Sequence, residues 1–174
     1  MEPFRINRIK GVLPKQNKRA AIITKNIYDA LRVWLINFDY HLTNSFVFNW
    51  ESDYFAISKS GYVYEIEIKV TRSDFKADFN KVEKHNRLKF KKGKIPNKFY
   101  YCCPVGLINP GEIPEYAGLY YFDKNRYPLI SIIEIKRAKF LHKDKYLKEH
   151  WFTKKLMNKF YYKYLDLKRN KVKK

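Results

Sequence analysis

Apolar residues recur along most of the chain at the spacings of regular secondary structure. Between residues 24 and 38 they return every three or four positions, which predicts a helix capped by Thr24. Its apolar positions are Ile27, Ala30, Leu31, Trp34 and Leu35. Strands are predicted at 45–50, 53–58, 62–70, 98–103, 118–122 and 129–136. A second helix is predicted from a cap at Ser73 to about Asn86, a loop at 104–117, and helix again from about residue 142.

The order of these elements is typical of an α/β domain. A helix, three strands, a helix and a further strand give an αβββαβ core, in which a mixed central sheet is flanked by helices. Extra strands and a basic helical tail follow this core. The chain therefore divides into a basic N-terminal arm at 1–23, a core domain at 24–138 and a basic, aromatic helical extension at 139–174.

A predicted hairpin brings two acidic residues together. Residues 59–61, Lys-Ser-Gly, form a turn signal between the second and third strands, so Ser58 pairs with Tyr62. In that register Asp53 lies directly opposite Glu67, and like charges at such positions destabilise a sheet unless a cation binds them. A turn of two residues would shift the register and misalign the pair.

The third predicted strand carries charge on one face only. Glu65, Glu67 and Lys69 alternate with apolar residues, so they share a face opposite the core. Two facing carboxylates suit a hard divalent cation such as Mg²⁺, and Lys69 lies about 6.6 Å along the strand from Glu67. An ammonium group there would orient a water molecule or stabilise a phosphoryl oxygen. The alternatives are a solvated strand face and a metal-free salt bridge between Glu67 and Lys69.

The second predicted helix carries a polar stripe. Asp74, Asp78, Lys81 and His85 recur at steps of four, three and four, and so share one side of the helix. They would place two acids beside the strand carboxylates and two cations near a phosphate. The alternative is structural: acids favour the first turns of a helix, histidine suits its last turn, and Asp78 with Lys81 forms a surface pair.

The overall charge indicates a polyanionic partner. The 174 residues hold 37 Lys and Arg against 17 Asp and Glu, a formal net charge of +20, for which nucleic acid is the usual partner. Half of this excess, a net +10, lies in residues 139–174, where aromatic residues interleave with the lysines. The rings recur at helical spacing, which favours core packing for them and DNA backbone contact for the lysines. Stacking of exposed rings on unpaired bases is the alternative.

Other classes of protein are disfavoured. Cys102 and Cys103 are adjacent, which fits neither a disulfide framework nor a zinc site and favours a reducing, cytoplasmic compartment. The abundance of Lys, Asn, Ile, Tyr and Phe suggests an AT-rich bacterial or phage genome, and hence the cytoplasm of a bacterial cell or of a phage host. The first residues lack the apolar stretch of a secretory signal, and no apolar run approaches the roughly 18 residues that span a bilayer. The sequence has no Gly-rich phosphate loop.

The acidic residues also resemble a known family. Asp53 followed by Glu67-Ile68-Lys69 resembles the site of the PD-(D/E)xK nuclease superfamily. The longer segments 67–78, 99–108 and 112–119, with Lys84-His85, are similar to the MmcB-like DNA-repair nucleases and related phage proteins. The resemblance covers about residues 46–122. Two departures are Ser52, where the superfamily often has proline, and a first helix whose only acid is Asp29, where many members have glutamate.

The resemblance implies a restriction-endonuclease-like core and hydrolysis of DNA phosphodiester bonds, in repair, recombination or phage DNA processing. Asp53, Glu67 and the Ile68 carbonyl would ligate Mg²⁺ or Mn²⁺, and Lys69 would be the catalytic lysine. Asp74, Asp78 and His85 are possible auxiliary groups, and the expected nucleic-acid contacts are Lys81, Lys84, Arg87, Lys154 and Lys155. A nuclease fold that binds DNA without cleaving it is the main alternative, and a packaging protein with a DNA-holding tail is a third. Single-stranded DNA, double-stranded DNA and RNA all remain open as substrates.

Overall fold

The computed structural model describes residues 15–128 and 130–171. Its helices are α1 (Lys15–Trp34), α2 (Arg72–Asp78), α3 (Val82–Phe90) and α4 (His150–Lys171). Its strands are β1 (Phe38–Phe46), β2 (Glu51–Ser58), β3 (Val63–Ile68), β4 (Lys98–Pro104), β5 (Ala117–Phe122) and β6 (Ile132–Lys136). Short 3₁₀ turns lie at Pro110–Glu112, Lys124–Arg126 and Tyr146–Lys148.

All six strands form one sheet, in which their spatial order follows the chain. β1, β2 and β3 are antiparallel neighbours, β4 runs parallel to β3 and to β5, and β6 is antiparallel to β5. The α2–α3 segment makes the crossover that two adjacent parallel strands require. This mixed sheet with its helices confirms the predicted α/β class, with extra strands and a basic helical tail after the first four strands.

Helices cover both faces of the sheet. α1 packs through Ile27, Leu31 and neighbouring apolar residues on one face, against Tyr54, Ile66 and other buried side chains of the strands. On the opposite face, Phe75 and Leu88 bring α2 and α3 against β4 and β5. α4 lies on the same face, over the β1–β2 hairpin, and its contacts include Phe55, Phe152 and Leu156. Both faces of β3 are therefore buried, and the solvated charged face considered from the sequence is wrong.

The β2–β3 hairpin has the register that the sequence predicts. Ser58 N–H donates to the Tyr62 carbonyl at 2.9 Å, and Gly61 takes a positive φ of 83° inside the turn, where an L side chain would be strained. The ladder pairs Tyr54 with Ile66, so the next position along places Asp53 opposite Glu67. The turn length on which the acidic pair depends is thus confirmed.

The first helix begins earlier than its pattern predicts. α1 starts at Lys15, and Thr24, expected as its cap, lies inside the helix, where its hydroxyl donates to the Ala20 carbonyl at 3.0 Å. A threonine hydroxyl satisfied in this way does not end a helix. Residues 15–23 of the predicted basic arm are helical, and residues 1–14 lie outside the described residues.

The first strand lies earlier in the chain than its apolar pattern predicts. The predicted strand at 45–50 is wrong over most of its length, since β1 spans Phe38–Phe46 and the residues after it are irregular. Positive φ angles of 49° at Asn44 and 69° at Asn49 bend the chain there. Val47 and Phe48 are nevertheless buried, so these apolar residues belong to a buried loop and not to a strand. The last predicted strand begins at Ile132, and Leu129 lies outside the described residues.

The predicted helix at 73–86 is two helices. α2 ends at Asp78, the chain turns at 79–81, and α3 begins at Val82. The cap of α2 is Thr71 rather than Ser73, because the Thr71 hydroxyl accepts from the Asp74 N–H at 3.1 Å. The single stripe that the sequence indicates is therefore broken, although the interruption brings its members together around one point, as described below.

The C-terminal extension packs through its first turns only. Phe152 and Leu156 are buried as predicted, but the expected core positions Phe160 and Tyr164 are 41% and 52% exposed. Two lysines of α4 reach the hairpin beneath, where Lys155 Nζ donates to the Val47 carbonyl and Lys163 Nζ to the Thr43 carbonyl, both at 2.8 Å. The prediction of core packing for the rings is thus correct near the start of α4 and wrong further along.

Candidate active site

Asp53, Glu67 and Lys69 lie together where β2 begins and β3 ends. The Asp53 carboxylate accepts from the Ile68 N–H at 2.8 Å, which fixes it beside the last residues of β3. Lys69 Nζ donates to Glu67 Oε1 at 3.1 Å, and both side chains are almost fully buried. The structure therefore brings together the three predicted catalytic residues, with Ile68, whose carbonyl is the third expected metal ligand, between them in sequence.

Glu67 is the centre of the site and is contacted by three ammonium groups. Its Oε1 lies 3.1 Å from Lys69 Nζ and 2.9 Å from Lys81 Nζ, and its Oε2 lies 2.7 Å from Lys84 Nζ. Burial alone would raise the pKa of Glu67, but the charges of Lys84 and Lys69 outweigh it and hold the pKa below its usual value. Glu67 is therefore an ionised carboxylate in a nearly dry environment.

Asp78 is a buried structural acid rather than half of a surface pair. Its carboxylate accepts from the Tyr101 hydroxyl at 2.9 Å and contacts Lys69 at 3.2 Å and Lys81 at 2.9 Å. Burial raises its pKa, but the hydrogen bond from His85 and the nearby lysine charges more than compensate, so the pKa lies well below the usual range. Asp78 thus fixes the position of the Lys69 ammonium beside Glu67.

His85 links this cluster to the loop before β5. Its Nε2 lies 3.0 Å from the Asp78 carbonyl and its Nδ1 lies 2.6 Å from the Tyr116 hydroxyl. With Nε2 donating to Asp78, Nδ1 accepts from the tyrosine hydroxyl. Asp74, the other predicted auxiliary acid, is at the periphery, since its side chain is half-exposed and lies 3.6 Å from Lys69 Nζ.

Asp53 has the opposite electrostatic character from Asp78. Burial, followed by the negative charge of Glu67, raises the pKa of Asp53 to about 6, and the hydrogen bond from Ile68 offsets only part of this. An acid whose pKa is raised by a neighbouring carboxylate gains from a bound cation. Asp53 is therefore the position in the cluster where positive charge is still in deficit.

Glu65 extends the cluster under α3. It is fully buried, accepts from the Trp50 indole N–H at 2.7 Å and lies 3.5 Å from Lys84 Nζ. Burial raises the pKa of Glu65 to about 7, although the Lys84 charge opposes this. Glu65 therefore changes its charge near neutral pH inside the protein.

The predicted nucleic-acid contacts fall into three different environments. Lys84 is buried among Glu65, Glu67 and the Phe99 ring, so its amine offers no exposed surface to a phosphate. Lys81 is about half-exposed and Arg87 pairs with Glu83 at 2.7 Å. On α4, Lys154 is exposed, whereas Lys155 is already bonded to the Val47 carbonyl.

An open cleft leads from solvent to this cluster. Its volume is about 400 Å³. It is lined by Asn49, Trp50, Asn80, Lys81, Val82, Glu83 and Lys84. Lys81 thus stands between Glu67 and the solvent in the cleft.

Sequence reasoning missed three members of the site. Tyr101 holds Asp78, Trp50 holds Glu65, and Lys84 is a buried partner of Glu67 instead of a surface cation. Tyr101 is level with Glu67 in the parallel ladder of β3 and β4, a pairing between segments separated by more than thirty residues. No local signal in the sequence indicates that pairing, whereas the hairpin register follows from a short turn.

Within residues 15–128 and 130–171, no three His, Cys, Asp or Glu side chains are grouped so that they could hold a metal ion. In the same part of the chain, no helix is long and apolar enough to cross a membrane.

Comparison with known proteins identifies the fold only. No protein family model matches the chain, and no curated protein matches it. Among solved structures, the chain is similar to the SPO1766 protein of unknown function from Silicibacter pomeroyi, with a TM-score of 0.58 and 16% sequence identity. The match covers 82% of this chain and 87% of that chain. The similarity supports an α/β fold over the matched part of the chain.

Proposed function

We propose that this protein is a divalent-metal-dependent nuclease that hydrolyses DNA phosphodiester bonds. The observation that carries the proposal is the hairpin register, which sets Asp53 opposite Glu67 with the Lys69 ammonium 3.1 Å from Glu67. Two carboxylates and an amine beside an open, basic cleft are the groups that such a reaction requires. The net charge of +20 favours a polyanionic substrate.

The residues present fit Mg²⁺ or Mn²⁺ in one arrangement. Asp53 and Glu67 would hold the ion with the Ile68 carbonyl, and the raised pKa of Asp53 marks the place where a cation is favoured. Glu67 Oε1 would become available when Lys81, the exposed member of its three amines, turns away into the cleft. The bound ion would act as a Lewis acid on a phosphoryl oxygen and lower the pKa of a bound water.

The lysines then have separate roles. Lys69 Nζ lies 3.2 Å from the Asp78 carboxylate, which fixes the ammonium group. It would then stand where negative charge develops on the phosphoryl oxygens. Lys81, whose side chain is 47% exposed, would contact a substrate phosphate from the cleft. Lys84 stays buried and keeps Glu67 ionised. These roles replace the uniform phosphate-binding role that the sequence suggested for Lys81 and Lys84.

The arrangement of elements also supports a restriction-endonuclease-like core. A helix precedes three antiparallel strands, and two helices then lead to a fourth strand parallel to the third. This is the αβββαβ order that the resemblance to PD-(D/E)xK nucleases implies, except that the second helix is interrupted.

Cleavage assays on supercoiled plasmid and on single-stranded DNA, with Mg²⁺, with Mn²⁺ and with EDTA, test the proposal. We expect metal-dependent cleavage that falls by about 10²–10³-fold in Lys69→Met, since a fixed group that stabilises developing charge contributes on that order. Asp53→Asn should also lose cleavage. Lys76→Met is the matched control, because Lys76 is an exposed lysine of α2, and this variant should cleave like the wild type.

Cleavage that persists in EDTA or in Lys69→Met would show that the assignment is wrong. DNA binding by both variants, measured in EDTA, separates a loss of catalysis from a loss of affinity. Thermal unfolding of each variant reports whether the buried cluster still folds.

A second function is favoured by one observation, the saturation of Glu67 by lysines. Three ammonium groups already neutralise this carboxylate, which is what a retained nuclease fold without turnover would need to keep its acids buried. The protein would then bind nucleic acid through its basic surface. In the same assays this alternative predicts salt-dependent binding and no cleavage with either metal.

A further inference from the structure

The second half of α4 presents an aromatic surface to solvent. Beyond Leu156, the rings of Phe160, Tyr161, Tyr162 and Tyr164 are 41%, 58%, 63% and 52% exposed, and Met157 and Leu167 are each 64% exposed. Exposed rings grouped on one helix are uncommon on a monomer and mark a site of interaction. We call Met157, Phe160, Tyr161, Tyr164 and Leu167 the aromatic stripe of α4, because they recur at steps of three and four along one side.

Basic residues border this stripe. The segment 151–171 holds seven Lys and Arg and a single acid, Asp166. Lys168 Nζ lies 5.0 Å from the centre of the Tyr164 ring, so a cation stands directly beside an exposed aromatic face. A surface that alternates rings with cations complements a strand in which bases alternate with phosphates.

We propose that the aromatic stripe of α4 binds single-stranded nucleic acid by stacking its rings on unpaired bases. In a duplex the bases already stack on one another, so exposed rings find no free base face. In a single strand every base has a free face, and successive rings about one helical turn, or 5.4 Å, apart can each accept one. Exposed cations of the same helix, Lys154 and Lys168, supply phosphate contacts.

Two other occupants fit the surface less well. A second copy of the chain would bring two strongly basic helices together, and their like charges would repel. An anionic membrane would accept the lysines, but three of the four exposed rings are tyrosines, which lie at the level of the lipid headgroups and insert little apolar surface below it. Charge complementarity together with the tyrosine content therefore favours a single strand.

The first turn of α4 lies near the cleft of the candidate site. Trp50, which lines the cleft, has its ring centre 6.1 Å from that of Phe48, and Phe48 lies 6.5 Å from Trp151 at the first turn of α4. The inference itself concerns binding and does not require cleavage.

Fluorescence anisotropy with labelled oligothymidylate and with a duplex of equal length, both in EDTA, tests this inference. We expect Tyr161→Ala/Tyr164→Ala to bind the single strand about tenfold or more weakly, since one base–ring stack is worth roughly tenfold in affinity. Duplex binding should change little. Tyr161→Phe/Tyr164→Phe keeps both rings and should bind the single strand like the wild type.

Phe90→Ala is the matched control, because Phe90 is also an exposed ring with lysines nearby, on α3. An equal loss in Phe90→Ala, an equal loss for duplex, or no loss in the alanine double variant would each overturn the proposal. So would a loss in the phenylalanine variant, which would assign the effect to the hydroxyl groups.

Two further measurements test the other occupants: binding of the protein to phosphatidylserine vesicles, and sedimentation of the protein alone. Vesicle binding that depends on these tyrosines, with oligonucleotide binding unchanged, would assign the surface to a membrane. Dimerisation that depends on them would assign it to a second copy.

Discussion

The face of β3 beneath α1 presents apolar side chains, whereas the opposite face of this strand, on the side of α2 and α3, presents the buried carboxylates of Glu65 and Glu67. Ile66 and Glu67 are adjacent on β3, and both are almost completely buried. Ile66 packs on α1 and needs no partner of a particular chemistry. Glu67 is stable at its position because three ammonium groups surround it. Burial is thus equal on the two sides, but only one of them depends on matched charges, so the two should respond differently to substitution and to pH.

The largest expected effect comes from removing a buried cation. Lys84→Met keeps most of the volume beside Phe99 but removes the ammonium group that lies 3.5 Å from Glu65 and 2.7 Å from Glu67. Glu65 then loses its lysine partner, Glu67 keeps only Lys69 and Lys81, and breaking a buried pair costs about 3–5 kcal/mol. The loss should be greatest above neutral pH and smaller at lower pH, where the two carboxyl groups take up protons. Urea unfolding gives the free energy.

Lys89→Met, an exposed lysine on the same helix, is the control and should change the free energy of unfolding little. Equal stabilities for Lys84→Met and Lys89→Met would contradict the role assigned to the buried amine.

A smaller effect, visible mainly as a pH dependence, is expected for Glu65→Gln. The pKa of Glu65 is raised from 4.5 to about 7 in the folded protein, so the native state binds this proton more tightly than the unfolded chain does. The stability from Glu65 is complete below its unfolded pKa and is lost as pH rises through about 7. Glutamine resembles the protonated acid, so the variant should gain stability relative to the wild type as pH rises from about 5 to about 8.

Chemical unfolding at both ends of that pH range measures the gain. Each unit by which the pKa of Glu65 in the folded protein exceeds that in the unfolded chain corresponds to about 1.4 kcal/mol. Glu83→Gln, an exposed acid on α3, serves as control. Parallel stability–pH curves for Glu65→Gln and the wild type would mean that Glu65 titrates normally.

The smallest effect belongs to the apolar face. Ile66→Val removes one buried methylene group and should destabilise the protein by about 0.5–1.5 kcal/mol, with no dependence on pH, because no charge is involved. Thermal unfolding at several pH values gives this result directly. A pH-dependent loss would mean that the two faces of β3 are coupled.

The sequence predicted the hairpin and its acidic pair because the relevant contact is local. The turn at 59–61 contains a glycine, and a three-residue turn fixes which residues of β2 and β3 face each other. Asp53 and Glu67 are therefore placed from a few adjacent residues. The α/β class follows from the same kind of information, since it depends on the order of elements and not on their exact ends.

The interior partners of the site could not be predicted in this way. α2 ends at Asp78 without a proline or glycine that would predict the end of a helix, since the residues of the turn are Phe79, Asn80 and Lys81. The cause is tertiary: Asp78 accepts from Tyr101 on β4 and its main-chain carbonyl lies at hydrogen-bond distance from His85, and these contacts hold the end of α2 in place. Reorienting α3 buries Lys84, a residue that composition alone assigns to the surface.

The contact between Lys163 and Thr43 has a consequence for self-association. β1 is the outermost strand on its side of the sheet, and an uncovered strand in that position offers free carbonyl groups to another molecule. Lys163 occupies the Thr43 carbonyl and also lies 3.2 Å from its hydroxyl, while Lys155 occupies the carbonyl of Val47 just beyond the strand. The basic helix therefore occupies two carbonyl groups, one within β1 and one just after it, and leaves two fewer acceptors for the edge of a second sheet.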